Sequence, residues 1–202
     1  MKEPFKEFLT NELVPGTLLI ACGLPGTCKT ETTVEISRIK GYPILRTDII
    51  RRELLKGMDI FDEKVANNYE IRKRVYDEMF KQAGKMLQNE NGVILDATFV
   101  TQELRRRAAE IAAAQNKVFV ILQTHCSKDA SINRILKRTK ENYESNALTE
   151  QAYINNVKKF EQVDLEDLKT LHPKLYIVHL TVDTEQDDID SWHFIKKEKR
   201  DG

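Results

Sequence analysis

Five short segments of the chain are apolar almost without a break: Thr17–Cys22 and residues 42–45, 93–95, 117–123 and 175–180. Continuous apolar runs of this length suit strands buried on both faces, whereas a strand with one wet face alternates. Between them the apolar positions recur at three and four. Tyr69, Val75, Tyr76, Met79, Phe80, Ala83, Met86 and Leu87 mark a helix over residues 69–87, and Leu104, Ala108, Ile111 and Ala112 mark one over 101–115. A further helix, over 127–139, has Ile132, Ile135 and Leu136 for its core face, Ser127 as its cap and Asp129 in its first turn. Strands alternating with helices predict parallel pairing, right-handed crossovers and helices on both faces, a three-layer α/β domain. Residues 57–68 and 140–148 are polar and read as connections. Residues 183–202 are acidic and then basic, and Ile189, Trp192 and Ile195 suggest a final surface helix with mobile last residues.

Composition narrows the class. A chain of 202 residues fits one domain with room for an insertion. With 32 Lys and Arg against 32 Asp and Glu, the formal net charge is zero, which speaks against a long phosphate polymer as the main partner but not against a small phosphate site. No apolar run approaches the ~20 residues of a membrane span, and the first residues lack the core of a signal peptide. Three cysteines without metal-site spacing predict reduced thiols and a cytoplasmic location.

The candidate chemistry begins where the first strand ends. Gly23-Leu24-Pro25-Gly26-Thr27-Cys28-Lys29-Thr30 follows the strand Thr17–Cys22 and opens a helical pattern near Lys29. Glycines in such a strand–loop–helix setting let successive backbone N–H groups turn toward phosphate oxygens, and the helix N-terminus adds donors and a favourable dipole. Lys29 would reach the β- and γ-phosphates of a nucleotide, and the Thr30 hydroxyl would join the shell of a Mg²⁺ ion. The usual pattern has glycine where Cys28 stands. Cys28 reads either as a tolerated small residue or as a redox-sensitive thiol at a helix N-terminus.

Two strand ends carry carboxylates. Asp48 follows the second strand, where it reads as a helix cap or as a general base for an attacking hydroxyl, with Arg51 three residues on as a contact for an anionic acceptor. Asp96 ends the apolar run Val93-Ile94-Leu95, the form of an acid that organises Mg²⁺. Arg134 and Arg138 lie four apart, so both face one way. They read as a solvated basic face, or as mobile cations of a lid spanning about residues 127–148 that closes over a phosphoryl group.

In this order, these features resemble the P-loop kinase family that includes polynucleotide kinase and zeta-toxin-like kinases, often labelled AAA-family ATPases. The matching residues are the loop from Gly23 to Thr30, Arg46-Thr47-Asp48 with Arg51, Ile94-Leu95-Asp96-Ala97-Thr98, Arg134 with Arg138, and a late Tyr153 with Phe160-Glu161. The resemblance covers roughly residues 17–182 of one P-loop kinase domain over 1–202, with 183–202 as a tail. It implies the three-layer P-loop NTPase fold, with a five-stranded parallel sheet of order 2-3-1-4-5 and a lid segment. It also implies ATP and Mg²⁺ at Gly23, Leu24, Pro25, Gly26, Thr27, Cys28, Lys29 and Thr30, with Thr30 and Asp96 on the metal side. Asp48 would be the base, Arg51 the acceptor contact, and Lys29, Arg134 and Arg138 the catalytic cations. The expected activity is transfer of the γ-phosphoryl group of ATP to a hydroxyl of a small molecule or nucleotide. The alternatives are a 5′-hydroxyl polynucleotide kinase and an ATP-binding interaction module with little or no turnover.

Overall fold

Apolar runs buried on both faces need a cover on each side, and the computed structural model, which describes residues 3–56, 68–138 and 148–202, provides two. The strands are β1 (Glu3–Pro4), β2 (Thr17–Cys22), β3 (Ile44–Arg46), β4 (Gly92–Asp96), β5 (Val118–His125), β6 (Ile177–Asp183) and β7 (His193–Arg200). The helices are α1 (Phe5–Glu12), α2 (Lys29–Lys40), α3 (Thr47–Leu54), α4 (Tyr69–Met86), α5 (Gln102–Ala114), α6 (Lys128–Leu136), α7 (Glu150–Lys159) and α8 (Leu165–Leu171).

Alternate residues of each central strand feed different cores. Leu18 and Ile20 of β2, Val93 and Leu95 of β4 and Phe119 and Ile121 of β5 pack with Met79, Phe80 and Ala83 of α4, with Ala108 and Ala112 of α5 and with Leu168 of α8. Leu19, Ile94, Val120 and Leu122 turn the other way, onto Phe5, Phe8 and Leu9 of α1 and Ile36 of α2. Both sets are apolar, so each strand reads as an unbroken run. Burying one such side chain contributes about 1.5–3 kcal/mol, and these layers hold the sheet together.

The sheet order is β1-β7-β6-β5-β2-β4-β3. The five expected strands are β2, β3, β4, β5 and β6. They pair in parallel and stand in the order 2-3-1-4-5, counted along the chain. The sheet has two more strands than the five expected. The segment read as a surface helix is instead a short 3₁₀ turn, Ile189–Ser191, followed by β7, which pairs antiparallel with β6 and with β1. The reason lies in the core. Trp192 and Phe194, two apart, are both buried against Phe5, while Ile195 is exposed, so the apolar period there is two rather than three. The tail is thus part of the sheet.

The proposed connection over residues 57–68 falls outside the described residues except at Asn68, which caps α4 by accepting from the Ile71 amide. Residues 139–147 of the expected lid also lie outside them. Among the described residues, no helix is long and apolar enough to cross a membrane.

His179 on β6 is buried between Gln123, 3.0 Å from its Nε2, and Glu198, 3.3 Å from its Nδ1. Burial outweighs Glu198 and pushes the imidazole pKa down to about 4. Between its ordinary value of 6.5 and that lower one, the unfolded chain takes up a proton that the folded chain refuses. Stability at His179 is therefore lost as pH falls through this window. Urea unfolding across the same window will show a falling midpoint, and His179→Gln will flatten the slope.

Candidate active site

The carboxyl ends of β2, β3 and β4 place three functional segments side by side. Ala21 and Arg46 are both register partners of Asp96. The chain leaves β2 through Gly23, whose amide donates to the Thr98 carbonyl at 3.2 Å. Gly23 has φ +146°, and a Cβ there would stand 2.7 Å from the Thr124 hydroxyl. Gly26, at φ +82°, lies against the Ser131 backbone of α6 with no room for a side chain. These two glycines are required by conformation and by close approach.

Threonines brace the loop between them. The Thr27 hydroxyl donates to the Leu24 carbonyl at 2.8 Å and meets the Thr124 hydroxyl at 2.6 Å, and the Thr184 hydroxyl donates to the Thr27 carbonyl at 3.2 Å. The Lys29 ammonium donates to the Leu24 carbonyl at 2.6 Å. Burial pushes the Lys29 pKa down; Asp96 opposes this, while the nearby positive charge of Arg138 adds to it. Arg138 thus lies within electrostatic reach of the loop lysine.

Cys28 caps α2 with φ +58° and ψ +33°, the left-handed region. Glycine is usual at this point because an L-residue there costs about 1–2 kcal/mol. Burial pushes the Cys28 thiol up to about 12, with Glu31 adding to the rise. The thiol stays protonated at neutral pH, which counts against the redox reading.

Asp96 is the most enclosed charge of the site, 6% exposed. Its Oδ2 accepts from Thr30 Oγ1 at 2.9 Å and from Thr33 Oγ1 at 3.3 Å, and Arg46 Nε lies 3.5 Å away. Burial raises the Asp96 pKa, and Thr30, Lys29 and Arg46 pull it back. A threonine hydroxyl and a carboxylate are hard oxygen donors, of the kind Mg²⁺ takes alongside water and phosphate oxygens, so the residues fit that ion. Immediately after β4, Phe99 is fully buried at φ +43°, a strained setting for a bulky residue, between the rings of Tyr76 and Phe80.

Asp48 is not the cap of α3. The cap is Arg46, and Asp48 lies in the first helical turn with its Oδ1 3.2 Å from Arg51 Nη1. Its side chain is 32% exposed, whereas that of Arg51 is nearly buried. Arg134 differs from the mobile cation that spacing alone allowed. Its guanidinium donates to the carbonyls of Thr184 at 2.8 Å, Glu185 at 3.0 Å and Gly26 at 3.4 Å, and pairs with Asp187. It ties the phosphate loop to the segment leaving β6.

Behind the site, Arg105 is fully buried. It donates to the carbonyls of Glu161 at 2.8 Å and Gln162 at 3.0 Å and lies over the Phe160 ring. Glu161 in turn accepts from the Gln102 amide at 2.5 Å. The late Phe160-Glu161 pair is therefore what fastens the chain after α7 to the start of α5. Sequence reading named Arg46 within the family pattern but gave it no role, and it missed Thr33, Thr124, Thr184 and Arg105. For Arg46 the signal was its place one strand end from a carboxylate.

The model of a family described as AAA domain matches residues 18–162. An uncharacterized protein of Mycobacterium tuberculosis is 27% identical over 145 residues, which is 68% of this chain and 29% of that protein. The chain thus spans less than a third of the curated relatives it matches. A gluconokinase from Sinorhizobium meliloti superposes with TM-score 0.55 at 18% identity, covering 86% of this chain and 85% of that one. A sugar kinase from a Janibacter species superposes with TM-score 0.57 at 13% identity, covering 83% and 86%. The AvrRxo1-ORF1:-ORF2 complex, solved with ATP, superposes with TM-score 0.58 at 13% identity, covering 96% and 61%. The chain has the three-layer α/β fold of P-loop NTPase kinases.

Backbone geometry at Cys28 yields a stability expectation. Cys28→Gly will change the unfolding free energy by less than about 1 kcal/mol, since relief of the left-handed strain offsets the extra freedom of the unfolded chain. Cys28→Val, β-branched in the same conformation, will lower the melting temperature by several degrees. Iodoacetamide will label Cys28 slowly at pH 7.5, with the rate still climbing above pH 9.

Proposed function

The chain belongs to the AAA domain family, and on that premise we propose that it is an ATP-dependent kinase transferring the γ-phosphoryl group to a hydroxyl of a small molecule or nucleotide. One observation carries this reading. A partly exposed carboxylate, Asp48, stands with Arg51 at the end of β3, one strand away from the Asp96–Thr30 pair beneath the phosphate loop. A nucleotide-binding module needs the loop but has no use for a second carboxylate beside it.

In this reading the amides of residues 26–30 hold the phosphates, and Lys29 exchanges the Leu24 carbonyl for phosphate oxygens. Thr30 and Asp96 would hold Mg²⁺, which when bound neutralises charge on the phosphoryl oxygens. Asp48 accepts the proton of the acceptor hydroxyl as its oxygen attacks phosphorus, and Arg51 orients that carboxylate. Arg138 approaches the transferring group from the lid side. Arg134 acts through the loop it pins and not as a moving cation. An acceptor with its own negative charge suits the buried guanidinium of Arg51. The kinase neighbours support phosphoryl transfer as the reaction class, and the neighbour solved with ATP supports the donor.

The test is ADP release from ATP across sugars, sugar acids, nucleosides, nucleotides, amino alcohols and 5′-hydroxyl oligonucleotides. Turnover with one small acceptor is expected. Turnover with the oligonucleotide alone would make the protein a polynucleotide kinase, and ATP binding without turnover on any acceptor would make it a binding module. Asp48→Asn will lower kcat by about 10²–10⁴-fold while ATP affinity stays within about twofold. Lys29→Ala will lower kcat by about 10²–10³-fold, the usual loss when one donor aimed at developing charge is removed. Normal turnover in Asp48→Asn would remove Asp48 from the mechanism.

A further inference from the structure

Arg46 has no task in the kinase reading, yet it touches the carboxylate at the centre of the site. It ends β3 as Asp96 ends β4, and the two are register partners in a parallel pair, so their side chains project from the same face of the sheet. Arg46 Nε is 3.5 Å from Asp96 Oδ2, the same oxygen that accepts from Thr30 and Thr33. The Arg46 side chain is 24% exposed and that of Asp96 only 6%. A carboxylate so enclosed is costly without a compensating cation. A divalent ion can meet that need only while it is bound. The protein carries a cation of its own on the same oxygen, on a long side chain with a route to solvent.

We propose that Arg46 is a positioning residue of the metal site, the resident counter-ion of Asp96, held on Oδ2 without metal and moved off it by an incoming divalent cation. The inference rests on the reading of Thr30 and Asp96 as the metal-side pair. It makes metal binding an exchange of cations at a fixed oxygen: the guanidinium leaves, and Asp96 stays where Thr30 and Thr33 hold it. A purely structural arginine would act in the opposite sense, since its loss would loosen Asp96 and weaken the metal.

The sign of one substitution therefore decides. The full chain is titrated with Mn²⁺ in the presence of ADP, with free Mn²⁺ read by electron paramagnetic resonance. Arg46→Met is expected to bind Mn²⁺ about fivefold tighter than the parent, the scale of one unit charge removed from a partly solvated ion site. Arg46→Lys, which keeps the charge, is expected to stay within about twofold. Asp96→Asn is expected to lose the Mn²⁺ site, and ADP binding in EDTA is expected to be equal in the parent and both Arg46 variants. Unchanged or weaker Mn²⁺ binding by Arg46→Met, with normal ADP binding in EDTA, overturns the proposal. If circular dichroism shows Arg46→Met unfolded, Arg46→Gln takes its place with the same criterion. Undiminished Mn²⁺ binding by Asp96→Asn overturns the metal-side reading itself, a separate outcome because it does not involve Arg46.

Discussion

A single enclosed carboxylate sets the terms for everything around it. Asp96 is brought by its strand to where β2, β3 and β4 end together, and at 6% exposure it cannot rely on water. Such a charge is tolerable only if each neighbour answers it. Thr30 and Thr33 come from the first turns of α2, and Arg46 comes from the next strand. The helix that begins at Lys29 is thereby fixed in rotation, because two hydroxyls three residues apart must both reach one oxygen. The position of the phosphate loop follows from that helix.

Around this point the loop is made stiff by ordinary means. Three threonines, Thr27, Thr124 and Thr184, bridge it to β5 and to the segment after β6. Gly26 lets it lie against α6, and Arg134 gathers carbonyls from both sides. Each bond contributes only about 1 kcal/mol, but together they leave the backbone amides little freedom. A loop that is already ordered loses little entropy when it takes up an anion.

What the sequence disclosed and what it hid divide along a physical line. Strands, helices and the loop were legible because apolar period, glycine placement and strand ends are local properties. So was the position of Asp96. The tail was misread because Ile189, Trp192 and Ile195 have helical spacing, whereas burial selects Trp192 and Phe194. Only the presence of Phe5 and Phe8 across the sheet edge decides between the two periods. Arg134 and Arg138 share a face by spacing, but that Arg134 is pinned depends on carbonyls about fifty residues downstream, at Thr184 and Glu185. Arg46 shows the same limit, since its nearness to Asp96 is a matter of strand register.

The pairing of β1 with β7 also bears on the order in which the molecule assembles. Glu3 lies opposite Phe194, so β1 and β7 pair across nearly the whole described sheet in sequence, a contact of high order. With only β6 still waiting for β7, the strands β2 to β6 have all their parallel partners by Asp183. Helix α1 does not, because Phe5 and Phe8 rest on Trp192 and Phe194. During synthesis the loop over residues 23–30 and the parallel strands can therefore form while the part of α1 that Trp192 and Phe194 cover is still open. The emerging chain can pass through a stage in which its parallel core is formed and one side of α1 is adhesive.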